Sequence, residues 1–108
     1  LCQPLKLERQ FDLCLCLEVA EHLEKTCADT LIDTLTKLSP TIIFTAATPG
    51  QGPRSLGHIN EQPPEYWLEK FKQKNFFLNK NLTEIIKQEM AGQNIVWWLV
   101  KNLMIYEK

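Results

Sequence analysis

Four side chains in this sequence have the types and placement that chemistry requires. Glu18, Glu21 and His22 follow directly on the uncharged run Leu13–Leu17, and His58 follows a glycine-rich stretch further on. Carboxylates and imidazoles can exchange protons near neutral pH or offer oxygen and nitrogen to a divalent cation. His58 reads in two ways, as a general base or as a loop histidine bonded to backbone. Glu21 and His22 also read in two ways. Either they face a ligand, or they simply open the helix that follows, where a carboxylate is favoured.

The elements around them decide what these residues can reach. Phe11–Leu17 reads as a strand with apolar or cysteine side chains on both faces, as in the middle of an α/β sheet. Leu13, Leu15 and Leu17 line one face, and Asp12, Cys14 and Cys16 the other. Residues 24–38 predict a helix, with Leu23, Cys27, Leu31, Leu35 and Leu38 in one stripe and Ser39-Pro40 as its stop. Thr41–Ala47 is a second strand, β-branched and apolar. Strand, helix and strand over this length make a βαβ unit, so the two strands are expected to be parallel. Their carboxyl ends then share one edge, where open α/β sheets bind ligands. Glu18 and His22 lie at that edge, and so does the loop that leads to His58.

Thr48–Gly57 holds three of the four glycines. It lacks the Lys-Ser/Thr of a nucleotide-binding loop and reads better as a lid than as a phosphate cradle. Pro63-Pro64 opens a helix to about Lys74, with Trp67, Leu68 and Phe71 on its apolar side, and Asn75 ends it. Phe76–Leu78 is a short strand. Asn81–Ala91 is a helix capped by Asn81 and ended by Gly92. Residues 95–99 fit a helical turn or extended chain, and Leu103–Tyr106 is a final strand. Trp67, Trp97 and Trp98 suit either stacking on an aromatic ligand or core packing, with packing the default.

The chain has 108 residues, a net charge of −1 and 44% hydrophobic residues, which suits one small α/β domain or part of a larger one. The charge balance supplies no reason to expect nucleic acid, and the lysines from Lys70 to Lys87 read as a solvated face. No apolar stretch is long enough to span a membrane. The four cysteines read as reduced thiols of a cytoplasmic protein. A Cys14-x-Cys16 metal site lacks a second pair to complete it. The first strand is patterned for a sheet centre, yet nothing precedes it to pair with. Either earlier strands exist in a longer protein, or the exposed strand 11–17 invites self-association.

The segments FDLCLCLEVAEHLE, TIIFTAATPGQG and GHINEQPPEYWLEKFKQKNF together resemble the class I S-adenosylmethionine-dependent methyltransferases, of the type with E-x-x-E-H after a strand. The resemblance runs from Gln10 to about Tyr106 and implies the C-terminal half of a Rossmann-like methyltransferase sheet. The N-terminal half, with the glycine-rich loop and the ribose-binding acidic residue, is not in residues 1–108. Phe11–Leu17 and Thr41–Ala47 would be the fourth and fifth strands. The final strand would slot in antiparallel between its neighbours.

The activity implied is methyl transfer from S-adenosylmethionine to an O, N or C nucleophile of a small molecule, by the intact protein and not by this chain alone. Alignment of nucleophile and methyl would be the main task of such a site. Leu17, Glu18 and Val19 would face the cofactor, and Thr48–Trp67 would shape the acceptor pocket. Some relatives, among them quinone-pathway O-methyltransferases and small-RNA terminal 2′-O-methyltransferases, bind a divalent metal through E-x-x-E-H and a further histidine. Carried over, the ligands of Mg²⁺ or Mn²⁺ would be Glu18, Glu21, His22 and His58. A non-catalytic half-domain that binds a partner or itself is the alternative.

Overall fold

The computed structural model describes residues 1–50 and 57–108. Its centre is a four-stranded mixed sheet of β1 (Cys14–Leu17), β2 (Thr41–Thr45), β3 (Phe77–Leu78) and β4 (Met104–Glu107), in the order β1-β2-β4-β3. β1 and β2 run parallel, with Cys14 opposite Ile42 and Leu17 opposite Thr45. β4 lies antiparallel to both β2 and β3. The parallel βαβ pairing and the inserted antiparallel last strand are therefore both present.

Helix α1 (Ala28–Leu38) connects β1 to β2. It starts later than the periodicity predicts, because Lys25–Cys27 forms a tight 3₁₀ turn before it. Helix α2 (Pro64–Lys72) begins at Pro64, where the missing N–H costs no helical bond. It ends through Asn75, whose left-handed backbone (φ 63°) lets the Phe76 N–H return to the Phe71 carbonyl. Helix α3 (Lys80–Ala91) is capped by Asn79 and not by Asn81: the Asn79 side chain accepts from the Leu82 N–H at 2.9 Å. The Asn79 N–H bonds the Ile105 carbonyl, so pairing with β4 selects the cap. Residues 95–99, ambiguous in the sequence, lead into helix α4 (Trp97–Asn102).

One sheet face carries the core. Cys16, Ile42, Phe44, Met104 and Tyr106 cluster with Leu31, Ile32 and Leu35 of α1 and with Trp67 and Phe71 of α2. Phe44 sits among three rings, 5.3 Å from Trp67, 5.2 Å from Phe71 and 6.3 Å from Tyr106. Phe71 and Tyr106 stack with centroids 3.9 Å apart. Such pairs add to the area that they bury. Leu68, expected on the apolar side of α2, is 38% exposed instead, since the sheet takes only Trp67 and Phe71.

The other face corrects the reading of β1 as a centre strand. Leu13, Leu15 and Leu17 are 47%, 59% and 39% exposed, and β1 is an edge strand among the described residues. A two-sided apolar pattern records what a strand is suited to, not whether a neighbour is there.

The cysteines need a second correction. Cys2 and Cys27 form a disulfide, while Cys14 and Cys16 are free thiols. Burial raises both thiol pKa values, that of Cys16 to about 12, so both stay protonated near neutral pH. The bridge removes the basis on which the cysteines suggested a reducing, cytoplasmic setting. No described helix is long and apolar enough to cross a membrane. The bridge links residues 25 apart, and closing a loop of that length lowers unfolded-state entropy by an amount worth about 3 kcal/mol. Cys2→Ser should therefore lower unfolding free energy by about 3 kcal/mol in urea titrations, and reductant should cost the native chain a similar amount while leaving Cys2→Ser unchanged.

Candidate functional site

The site is built where β1 and β2 end. Glu18 leaves β1 with a left-handed backbone (φ 54°), uncommon for a residue with a Cβ. Its N–H donates to the Thr45 carbonyl at 3.0 Å and to Thr45 Oγ1 at 2.9 Å, which holds the strained turn against β2. The chain then enters a 3₁₀ turn, Ala20–His22, that sends Glu21 inward and leaves His22 exposed.

Glu21 is fully buried. Its Oε1 accepts the Ala47 N–H at 2.9 Å, and its backbone carbonyl accepts the N–H groups of Ile59 and Asn60 at 2.8 and 3.1 Å. One residue thus ties together the end of β1, the end of β2 and the segment carrying His58. Oε2 of the same carboxylate is buried and has no hydrogen-bond partner among the described residues. A buried, unsatisfied carboxylate oxygen is costly and marks a place where a donor or cation would be stabilised.

The two histidines meet across this knot, with ring centroids 4.7 Å apart and planes at 74°. His22 Nδ1 lies 3.0 Å from the Gly57 carbonyl oxygen. That oxygen can only accept, so Nδ1 carries a proton, and in the neutral ring the lone pair is on Nε2. His58 Nδ1 lies 2.9 Å from Glu61 Oε2, which orients the second ring. Glu61 is braced in turn by the Gly50 N–H, 3.3 Å from Oε1. Gly57 adopts φ 86°, and a Cβ there would stand 3.2 Å from His22 Nδ1, so glycine is needed both for conformation and for approach.

Glu21, His22 and His58 each offer a ligand atom, all within 4.8 Å of one another. The structure thus brings together three of the four residues carried over from the resemblance. Glu18 stands outside this set. Leu17 and Val19 flank it, Leu17 exposed and Val19 half-buried. Glu61, Thr45 and Gly57 were not singled out from the sequence. Only Glu61 left a signal, a carboxylate three residues after a histidine. The lid expected over 49–57 falls mainly on residues 51–56, outside the described residues.

Of the segment expected to shape an acceptor pocket, Thr48, Gln62, Pro64, Glu65 and Trp67 line a cavity of about 450 Å³. Trp67 is buried in the core, whereas Trp97 and Trp98 are 58% and 38% exposed. Lys70 and Lys74 pair with Asp29 and Asp33 at 2.6 and 3.0 Å, as a solvated face would. Comparison with family models, with curated proteins and with solved structures found no match.

Glu21→Ala would strip the Ala47 N–H of its buried acceptor and should cost about 1–3 kcal/mol in unfolding free energy. His22→Ala, at an exposed ring, should cost under about 1 kcal/mol. Parallel urea titrations of the two variants check this ordering.

Proposed function

We infer that this chain is a binding module that associates through β1. The observation that carries this reading is the open edge of β1 together with its uncovered Leu13, Leu15 and Leu17. An edge strand presents unpaired N–H and C=O groups to any other strand. The stretch Leu13–Leu17 carries no charge for a partner to match, so a second copy of the chain suits it, edge to edge about a two-fold axis. Sedimentation velocity tests this. The native chain should be a dimer at micromolar concentration and Leu15→Lys a monomer of unchanged circular dichroism. A native chain that stays monomeric at ten times that concentration overturns self-association.

A second reading gives the assembled protein an activity: methyl transfer from S-adenosylmethionine to a small-molecule acceptor, with this chain as the C-terminal, acceptor-side half of the sheet. Two observations support it. The last strand lies antiparallel between β2 and β3, as the resemblance to class I methyltransferases implies. A carboxylate and two imidazoles also gather at the carboxyl edge of the parallel strands. In this reading His58, oriented by Glu61, is the base for an acceptor proton where no ion occupies its Nε2, and Leu17, Glu18 and Val19 lie toward the cofactor.

A divalent ion fits Glu21, His22 and His58 as ligands. Each histidine has its Nδ1 held by a carbonyl or carboxylate, which leaves Nε2 free, the usual arrangement behind a metal-bound imidazole. Mixed oxygen and nitrogen donors favour Mn²⁺ over Mg²⁺. Bound there, the ion would lower the pKa of an acceptor hydroxyl.

Calorimetric titration of S-adenosylmethionine into this chain, and into the chain extended upstream of Leu1 in its natural reading frame, checks the second reading. Heat should be seen with the extended chain alone. Mn²⁺ should bind both, and His22→Ala should abolish that binding. Absence of S-adenosylmethionine binding by the extended chain removes methyl transfer.

A further inference from the structure

We propose that the cavity between α2, α3 and α4 is a binding site for an amphipathic anion, an apolar chain or ring that bears a carboxylate or a similar acidic head. The inference concerns equilibrium binding only and rests neither on association of β1 nor on methyl transfer. At about 450 Å³ the cavity is of the size that takes a small organic ligand. Much of its wall is apolar, with Trp67, Leu68, Leu78 and Met104, and the buried Thr83 and Asn102 add polar groups. It opens at the end of the sheet where β2 stops and β4 begins, because Ala46 and Met104 both line it.

The rim supplies the charge. Lys80, Lys87 and Lys101 all line the cavity. Among the described residues none of the three forms an ion pair, although Glu65 and Glu84 share the same walls. That separates them from Lys70 and Lys74, which α1 neutralises through Asp29 and Asp33. Lys80 and Lys87, read from the sequence as part of one solvated face with Lys70 and Lys74, thus differ from them, and the Lys101 ammonium stands 5.9 Å from the Trp97 ring. Lys87 is also held in place: it is half-buried, and its Nζ donates to the Lys101 carbonyl at 3.0 Å. An ammonium already fixed beside an apolar wall loses little freedom on meeting an anion, and acts across less water than a fully exposed one. Apolar burial supplies the affinity in such a site, and the lysines select the sign of the head group.

The test uses three probes of equal chain length: decanoate, decanol and decyltrimethylammonium, each below its micelle concentration, titrated calorimetrically into the native chain. Decanoate should bind at one site, about fivefold or more tighter than decanol. The cation should bind more weakly than decanol. Raising the salt concentration should erode the advantage of decanoate and leave decanol unchanged. Lys80→Ala/Lys87→Ala/Lys101→Ala removes all three rim cations and should bring decanoate down to the affinity of decanol, with circular dichroism showing that the fold is kept. Leu68→Trp, placed at a partly exposed position of the wall, should weaken both, with circular dichroism showing that the fold is kept. Equal affinity for decanoate and decanol, no binding of either, or affinity indifferent to Leu68→Trp would each overturn the proposal.

Discussion

The buried carboxylate of Glu21 is the constraint on which the functional edge depends. Its side chain fastens the chain leaving β2 at Ala47, and its carbonyl fastens the segment at Ile59 and Asn60. The bond to Ala47 is buried, where water cannot compete, so it is worth more than a surface contact and costs more to lose. Without these bonds the histidine segment would have no fixed relation to the strands. With them, two rings from residues 36 positions apart meet at 4.7 Å. The turn that aims Glu21 inward requires a left-handed Glu18, and Thr45 holds that conformation with both its carbonyl and its hydroxyl.

The sheet is loaded unevenly. On one face Phe44, Trp67, Phe71 and Tyr106 form a ring cluster closed by two helices. This is where apolar burial, the main favourable term in folding, is concentrated. On the other face the leucines of β1 remain in contact with solvent. That face is covered at Ile105, whose N–H bonds Thr83 of α3, and is uncovered at β1, so the leucine row is a surface suited to another chain. The Cys2–Cys27 bridge anchors the leading segment at the start of α1, and the Phe11 N–H reaches the Leu38 carbonyl at its end, so this segment runs from one end of that helix to the other.

At the carboxyl edge two kinds of chemistry stand side by side. Around Glu21 the groups are few and oriented: each imidazole has its Nδ1 committed, and no described residue bonds its Nε2. Beyond Ala46 the walls are mainly apolar, and three lysines stand at the rim together with Glu65 and Glu84. The first arrangement suits a proton or a metal ion, and the second suits a larger molecule with an acidic head. Both arise because parallel strands end together and leave their connections to build the walls.

Much of the fold was legible in the chain because it is local. The spacing of Leu31 and Leu35, the proline at Pro64, the stop at Asn75 and the β-branched run at Thr41 each act over a few residues, and the sequence by itself determined a strand–helix–strand unit with acidic and imidazole groups at its carboxyl end. Distance in the chain hid the rest. The turn at Glu18 and the anchoring of the Glu21 carboxylate depend on Thr45 and Ala47, more than twenty residues away. Asn79 rather than Asn81 caps α3 because β4 takes the Asn79 N–H. The pairing of Cys2 with Cys27, the pairing of Glu61 with His58 and the exposure of the β1 leucines all depend on which surfaces meet. Periodicity tells a residue which side of its own element it occupies. Only the packed chain decides what stands opposite, because that is set by contacts between elements far apart in sequence.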